Sequence, residues 1–312
     1  MKFSSRKIRL MGTIIEIKIL HHDAESILDE AESLLHQYNM RFSANDSRSE
    51  LMQINLNAGV QPVMVHPELF ELIELGLSHS LAPGSHLNIL MGPVVQLWRI
   101  GFDDAQLPTD TEIMKQLALT NPKKVQLNKW DYSVYLMEPG MKIDLGAIAK
   151  GYIADKVCAM LKDRGVMSGF INLGGNVLTF GPAVHHADQL WVIGIQNPQK
   201  ARGENIALLK IAEESVVTSG VYERVLELNG QRYHHIFDPK TGYPMATNID
   251  SITIVSKKSV DCEIWTTRLF GKDIQMIMNE VAQHPELEVI VITNENEVFC
   301  SKGLHNRLFI NN

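Results

Sequence analysis

Residues 143–155 read IDLGAIAKGYIAD and follow a Pro139-Gly140 turn and a strand-like run at 132–137. Proline and glycine favour turns, so this stretch is typical of a short strand that ends at Gly146, with a helix on the other side. Apolar side chains at 148–161 recur at helical spacing, which predicts that helix. We therefore expect a ligand site where the strand, the glycine and the helix N-terminus meet.

Lys150 lies in the first turns of the predicted helix. The helix dipole favours cations at the other, C-terminal end, so the dipole does not explain this position. Two interpretations remain open. Lys150 is either a solvated lysine beside a tight packing turn, or it joins free backbone N–H groups in binding an anion such as a phosphate.

The composition indicates a globular protein with a large core. The chain has 312 residues with 45% hydrophobic content, enough for one large domain or two closely joined ones. Its formal charge of -7 and its pI of about 5.9 disfavour non-specific binding to nucleic acid or to an anionic membrane surface. An acidic chain can still hold a nucleotide if a divalent metal ion is added.

The cysteines and the N-terminal region bear on the compartment. Cys158, Cys262 and Cys300 are odd in number and lack CxxC spacing, which indicates reducing surroundings and neither a disulfide framework nor a zinc site. Apolar and polar residues alternate at 11–20. We therefore see neither the continuous apolar segment of a signal peptide nor a lipobox cysteine. We expect a cytoplasmic protein without a transmembrane segment, although a chain trimmed of its leader would look the same.

Periodicity predicts short elements along the whole chain. Residues 8–20 are typical of an opening strand, 24–38 and 66–81 of helices, and Ser49 is predicted to cap a helical turn that ends near Asn55. Motifs fall on both sides of the middle with no linker or repeat, so we expect one catalytic unit, residues 1–312, built from both halves. The later predicted strands are 169–173, 190–195, 206–211, 216–218, 222–228, 233–237, 249–255, 287–293 and 298–300, and the later helices are 260–270 and 273–282.

A second motif, residues 234–244, reads HHIFDPKTGYP. His234 and His235 point to opposite faces of an extended strand, so at most one of them serves a given site. The Asp238-to-Gly242 segment predicts a turn, because proline sets φ at the second position and glycine accommodates the backbone conformation at the end of the turn without steric strain. The alternative interpretation is a plain hairpin with two half-exposed histidines.

Two further positions have both a structural and a functional interpretation. Asn88 interrupts the apolar run 86–98, and its amide must bond either backbone or a ligand. Glu263 and Thr267 are four residues apart and share one helix face, where a carboxylate and a hydroxyl suit Mg²⁺. Such a pair is also commonplace on helices without any metal.

Taken together, these motifs resemble the ApbE family of flavin transferases. That family is Mg²⁺-dependent and uses FAD to attach FMN through a phosphoester to a Thr or Ser of a partner flavoprotein. The resemblance covers most of the chain, at residues 11–13, 42–55, 92–98, 144–155, 172–175, 218–220, 235–244 and the helix that carries Glu263.

The resemblance implies a fold and a set of site residues. The fold is a mixed α/β (α+β) molecule whose T-fold-like core is a mixed sheet with packed helices. The Ala147 carbonyl with the Glu263 and Thr267 side chains would bind Mg²⁺, and His235 would lie by the pyrophosphate of FAD. With a reference pKa of about 6.5, His235 could accept the proton of the attacking Thr, and Asp238 could orient or replace it. The implied FAD-binding residues are Met11, Asn45, His86, Leu87, Asn88, Asp144, Lys150 and Ile236.

Three positions depart from the family pattern. Glu263 stands where relatives commonly have Asp, and Asn88-Ile89-Leu90 stands where they have Asp-x-Thr. Asn45 replaces an aromatic residue whose stacking on FAD is worth about 0.5 to 1.5 kcal/mol. These changes keep two alternatives open beside protein flavinylation: an FAD pyrophosphatase that releases FMN and AMP, and an FAD-binding protein without turnover.

Overall fold

The computed structural model of the chain describes residues 3–311. The strands are β1 (Phe3–Leu10), β2 (Thr13–Leu20), β3 (Val63–Met64), β4 (Val125–Asn128), β5 (Ser133–Leu136), β6 (Gly169–Leu173), β7 (Val177–Phe180), β8 (Trp191–Gln196), β9 (Asn205–Ile211), β10 (Ser215–Gly220), β11 (Val225–Leu228), β12 (Gln231–His234), β13 (Ile249–Ser256), β14 (Glu288–Thr293), β15 (Val298–Cys300) and β16 (Leu308–Ile310). The α-helices are α1 (Ala24–Phe42), α2 (Glu50–Leu56), α3 (Pro67–Leu81), α4 (Gly92–Trp98), α5 (Asp110–Leu117), α6 (Ala149–Asp163), α7 (Ser259–Leu269) and α8 (Ile274–Val281).

An eight-stranded sheet in the order β1-β2-β6-β7-β10-β13-β14-β15 forms the centre of the molecule. The predicted α+β class is confirmed, but every neighbouring pair in this sheet is antiparallel, so the sheet is not mixed as predicted. Short turns join β1 to β2, β6 to β7 and β14 to β15, and tight hairpins can only connect antiparallel strands, which explains three of the seven pairs.

The first hairpin corrects the prediction of a single opening strand at 8–20. The strands β1 and β2 pair from Phe3↔Leu20 to Leu10↔Thr13, which leaves Met11 and Gly12 as a two-residue turn. Both turn residues have positive φ, 53° and 71°, as a type I′ turn requires. Gly174 lies against Thr13 so closely that a Cβ there would collide with the threonine side chain. Two sequence motifs therefore meet at this end of the sheet.

Strand alternation divides the core between the two faces of the sheet. Val217, Ile252 and Ile254 point to the face where α6 packs between α1 and α7, whereas Val216 and Val255 point to the small sheet β16-β9-β8. Both faces are therefore covered, and the main core contains residues from both halves of the chain. Among residues 3–311, no helix is both long and apolar enough to cross a bilayer.

A third cluster supports the histidine motif. Trp98, at the end of α4, is fully buried and its indole N–H donates to the Gly242 carbonyl over 3.0 Å. The rings of Tyr233, Phe237 and Tyr243 pack around it. This packing ties the β11-β12 hairpin and the following loop to α4, and it fixes where His235 lies.

Candidate active site

The N-terminal ends of α6 and α7 touch at Gly151. A Cβ at this position would lie 2.5 Å from the Ser259 carbonyl oxygen and 2.7 Å from the Val260 Cα. The Asp155 carboxylate completes the contact, because its two oxygens accept the Ser259 and Val260 N–H groups over 2.8 and 2.9 Å. Such a cap satisfies backbone donors that a helix start leaves free. The two helices are thereby locked side by side.

We expect Gly151→Ala to destabilise the protein by about 1 to 3 kcal/mol, although alanine normally favours a helix interior. The reason is that the new methyl group meets backbone atoms of α7, which cannot move aside cheaply. Chemical denaturation would measure the loss. Ala159→Leu, which adds bulk on the exposed face of α6, is the matched control and should change stability by less than about 0.5 kcal/mol. Equal stability of the Gly151 variant and the original chain would contradict this prediction.

Glu263 is the buried carboxylate at this junction. Its side chain is only 5% exposed, and Oε1 accepts from Asn176 Nδ2 over 3.1 Å and lies 3.5 Å from Lys150 Nζ. Its other oxygen, Oε2, is buried and has no hydrogen-bond partner among residues 3–311. A buried, unpartnered carboxylate oxygen is costly, and such an atom is a natural position for a cation.

A chain of buried hydroxyls and an amide orients Glu263. Ser215 Oγ donates to Ser259 Oγ over 2.9 Å, and Ser259 Oγ donates to Asn176 Oδ1 over 2.7 Å. The Asn176 amide is therefore turned with its NH₂ group toward Glu263. The sequence alone predicts no function for Asn176, and its only signal is its place directly after the Gly174-Gly175 turn.

The oxygen donors at this junction fit a hard cation. Ala147 is exposed in the turn before α6, and Thr267 lies one helical turn beyond Glu263 and is half-buried. Within the described range 3–311, no three His, Cys, Asp or Glu side chains form a metal-binding group. A metal ion here would be held by one carboxylate with neutral carbonyl and hydroxyl oxygens, a donor set that suits Mg²⁺. The free Oε2 of Glu263 supports this fit.

Asp144 lies on the other side of the helix start. Its backbone N–H donates to the Ile89 carbonyl over 2.8 Å. The buried amide of Asn55 grips Ile143 on both sides, accepting its N–H over 2.7 Å and donating to its carbonyl over 3.0 Å. Burial raises the pKa of Asp144, while the Gly146 N–H and the positive charge of Arg224 oppose that rise. The residue is thus held rigidly with its carboxylate near a cation.

The predicted FAD-binding residues 86–88 are largely engaged by the protein itself. Asn88 accepts from the Leu90 N–H and donates to the Thr120 carbonyl, both over 2.9 Å, so its amide bonds backbone. Leu87 is 1% exposed and belongs to the core. His86 is half-buried, with Nδ1 2.6 Å from the Phe270 carbonyl oxygen. Their binding of FAD stays a prediction.

His235 lies close enough to Lys150 and Arg224 for their charges to act on it. Its Nδ1 is buried without a hydrogen-bond partner among residues 3–311. Burial lowers the pKa of His235 to about 4, and the charges of Arg224 and Lys150 act in the same direction. The imidazole is therefore neutral at physiological pH and is able to accept a proton. Its neighbour His234 is instead held by the Met245 carbonyl over 3.0 Å.

The remaining predicted residues lie in turns and loops. Asp238 Oδ1 accepts the Lys240 N–H over 2.8 Å, and no hydrogen bond joins Asp238 to His235 in the described part of the chain, so its catalytic role stays a prediction. The Ile236 carbonyl accepts from the Met245 N–H over 2.8 Å. Asn45 is exposed in the α1-α2 loop. Met11 is half-buried in the first hairpin turn.

Comparison with known proteins explains this combination of residues. The sequence profile of the ApbE family matches residues 11–291. The chain belongs to the ApbE family. A protein of Klebsiella pneumoniae named FAD:protein FMN transferase is 40% identical over 292 residues, which cover 94% of this chain and 90% of that protein. A Treponema pallidum protein of the same name is 33% identical and covers 97% of this chain and 88% of its own length.

Solved structures carry the same ApbE fold. The ApbE protein of Thermotoga maritima superimposes with a TM-score of 0.90 at 26% identity, covering 100% of both chains. The flavin transferase ApbE of Vibrio cholerae has a TM-score of 0.84 at 24% identity, covering 98% of this chain and 99% of that one. Sequence analysis therefore identified both the family and its α+β architecture correctly.

Proposed function

We propose that this ApbE-family chain is a Mg²⁺-dependent FAD:protein FMN transferase, which moves FMN from FAD to a Thr or Ser hydroxyl of a partner flavoprotein. Its relatives of that name support the reaction class. The single observation that carries the site assignment is Glu263, a buried carboxylate paired with Lys150 whose second oxygen has no partner within residues 3–311. That arrangement suits a metal ion beside an anionic substrate.

The reaction exchanges one phosphorus–oxygen bond for another. The acceptor hydroxyl oxygen forms a bond to the FMN-side phosphorus, the bond from that phosphorus to the bridging oxygen breaks, and AMP leaves with the bridging oxygen. Neutral His235 accepts the proton of the hydroxyl. Lys150 neutralises charge on the phosphoryl oxygens. When bound, Mg²⁺ supplies further positive charge to the pyrophosphate, and Glu263, Thr267 and the Ala147 carbonyl would hold it.

The test follows two products at once. The protein is incubated with FAD and millimolar Mg²⁺, with and without a domain that carries an acceptor threonine, while AMP and protein-bound flavin are measured. The proposal expects AMP and protein-bound flavin to appear together when the acceptor is present. Binding of FAD without any AMP would indicate a protein without turnover. A failure to bind FAD in saturable fashion would reject the proposal.

An FAD pyrophosphatase is the second candidate, and the exposed Asn45 favours it. An asparagine in the α1-α2 loop lacks the stacking surface that an aromatic residue would place over the flavin. Water could then occupy the position of the acceptor hydroxyl. AMP formed at one rate regardless of acceptor, with no flavin on protein, would establish this candidate instead of transfer.

We expect Asn45→Tyr to lower acceptor-independent AMP release by about 2- to 10-fold, which corresponds to the stacking energy of one aromatic ring. The ring would cover the cofactor and exclude water from the phosphorus. Ser47→Tyr places the same ring at another exposed position of the loop and is the matched control. Equal hydrolysis by the Asn45 variant and the original chain would refute the lid argument.

Two further assignments are part of the proposal. One domain holds the whole site, which is supported by a main core that contains residues from Ile15 to Val291. The cytoplasmic location stays a prediction from the sequence. Fractionation of cells that express the full natural open reading frame tests it, and a longer, lipidated precursor would overturn it.

A further inference from the structure

We infer that Arg224 binds the pyrophosphate of FAD and stabilises the charge on the departing AMP, an inference that rests on the proposed function. Arg224 directly precedes β11, in the segment that leads from β10 to the hairpin carrying His235. The sequence pattern predicts a strand at 222–228 and no function for Arg224, whereas in the structure the strand begins at Val225. The neighbours of Arg224 and its charge support the inference.

Gly101 makes room for the Arg224 side chain, and Gly12 lies next to its guanidinium. A Cβ on Gly101 would lie 2.7 Å from Arg224 Cδ, so the stem of the arginine packs where a side chain would otherwise stand. A Cβ on Gly12 would lie 3.8 Å from Arg224 Nη2, which puts the guanidinium beside the Met11-Gly12 turn. The Arg224 backbone carbonyl lies beside the His235 imidazole. Arg224 is an exposed residue, and its guanidinium lies beside the Met11-Gly12 turn at the rim of the site.

Arg224 has no carboxylate partner in the part of the chain that the structure describes. Among residues 3–311, Arg9 and Arg224 are the arginines without a carboxylate oxygen within 4.0 Å. Its charge nevertheless acts on the site: it opposes the rise that burial causes in the pKa of Asp144, and it adds to the fall that burial causes in the pKa of His235. An arginine at the rim of a site that lacks a carboxylate partner among the described residues is typical of recognition of an anionic ligand.

The net charge of the site with FAD and a divalent ion bound also supports a role for a further cation. Each phosphate of the pyrophosphate carries roughly one negative charge, and the Asp144 and Glu263 carboxylates add theirs when ionised. Lys150 and one divalent ion leave this sum negative, and Arg224 brings it to balance. When the bond to AMP breaks, the departing phosphate gains additional negative charge, so the same guanidinium binds the transition state more tightly than the substrate.

The test compares three variants in FAD titrations by flavin fluorescence at fixed Mg²⁺. We expect Arg224→Gln to weaken FAD binding by about 10- to 100-fold and to make the dissociation constant less sensitive to sodium chloride, because one charged contact is lost. Arg224→Lys keeps the charge but lacks the planar guanidinium. Its affinity for FAD should therefore lie between that of Arg224→Gln and that of the original chain. Arg232→Gln, an exposed arginine of the same hairpin that pairs with Glu227 at 3.4 Å, should bind FAD within about twofold of the original chain.

The outcomes separate this inference from the proposed function. An Arg224→Gln variant with unchanged FAD affinity and unchanged AMP release would overturn the inference while leaving the transferase intact. Weaker binding with an unchanged salt dependence, in both the Gln and the Lys variants, would assign Arg224 a structural effect and overturn it too. If the original chain neither binds FAD nor releases AMP, the proposed function fails and the inference fails with it.

Discussion

Replacing Glu263 with glutamine is expected to abolish both FMN transfer and FAD cleavage, a loss of at least about 100-fold, and to remove the effect of Mg²⁺ on FAD binding. Glutamine keeps the size of the side chain but replaces a carboxylate oxygen with an NH₂ group, which cannot ligate a metal ion. We expect this loss because the buried Oε2, which has no partner within residues 3–311, is the atom that would bind the metal ion. AMP release and FAD titrations with and without Mg²⁺ measure it.

A thermal melt gives a readout that is independent of turnover. Mg²⁺ with FAD should raise the Tm of the original chain, because a ligand that binds only the folded state stabilises it, and should not raise that of Glu263→Gln. Lys150→Ala should also abolish activity, since Lys150 is the cation paired with Glu263. Asp261→Asn, two residues earlier on the same helix, is the matched control and should respond to Mg²⁺ normally. A Mg²⁺ response retained by Glu263→Gln would contradict the metal assignment.

Replacing His235 with glutamine is expected to slow FMN transfer by about 10²- to 10⁴-fold while FAD still binds in the presence of Mg²⁺. In the proposed mechanism the neutral imidazole takes the hydroxyl proton, and glutamine cannot accept it in the same way. His234→Gln is the control: that residue bonds the Met245 carbonyl, so its loss should lower stability by about 1 kcal/mol with a much smaller effect on rate. Equal losses of rate in the two variants would argue against a specific role for His235.

The depressed pKa of His235 also predicts the pH profile. A base is active when unprotonated, so with a pKa of about 4 the value of kcat/KM should stay level from about pH 6 to 8. A histidine with its ordinary pKa of about 6.5 would give about a fourfold rise across that interval. The lowered pKa of His235 also makes the free energy of unfolding depend on pH. Because the pKa is lower in the folded state, the stability that the neutral imidazole contributes is present above about pH 6.5 and is lost as the pH falls through about 4.

Elements with a clear local pattern could be predicted from the sequence. The helices α1, α3 and α6 lie where their apolar periodicity places them, and Ser49 caps α2 by accepting the Met52 N–H over 3.0 Å. The first hairpin was missed because its turn holds Met11 rather than the usual Asn or Gly, and because apolar and polar residues alternate on both sides of it. The helices α4 and α5 were also missed, since both are short and depend on packing around Trp98.

The family, the α+β class and the residues of the two central motifs followed from the sequence alone, because motifs record which side chains are present at which spacing. Tertiary structure decided what those side chains can do. The Asn176–Glu263 bond joins residues 87 apart, and the Asn55 grip on Ile143 spans 88. Local periodicity carries no information about such contacts. The Glu263 oxygen and the Arg224 guanidinium that lack partners within residues 3–311, and the neutral imidazole of His235, follow only from the burial and charge that the folded chain sets around them.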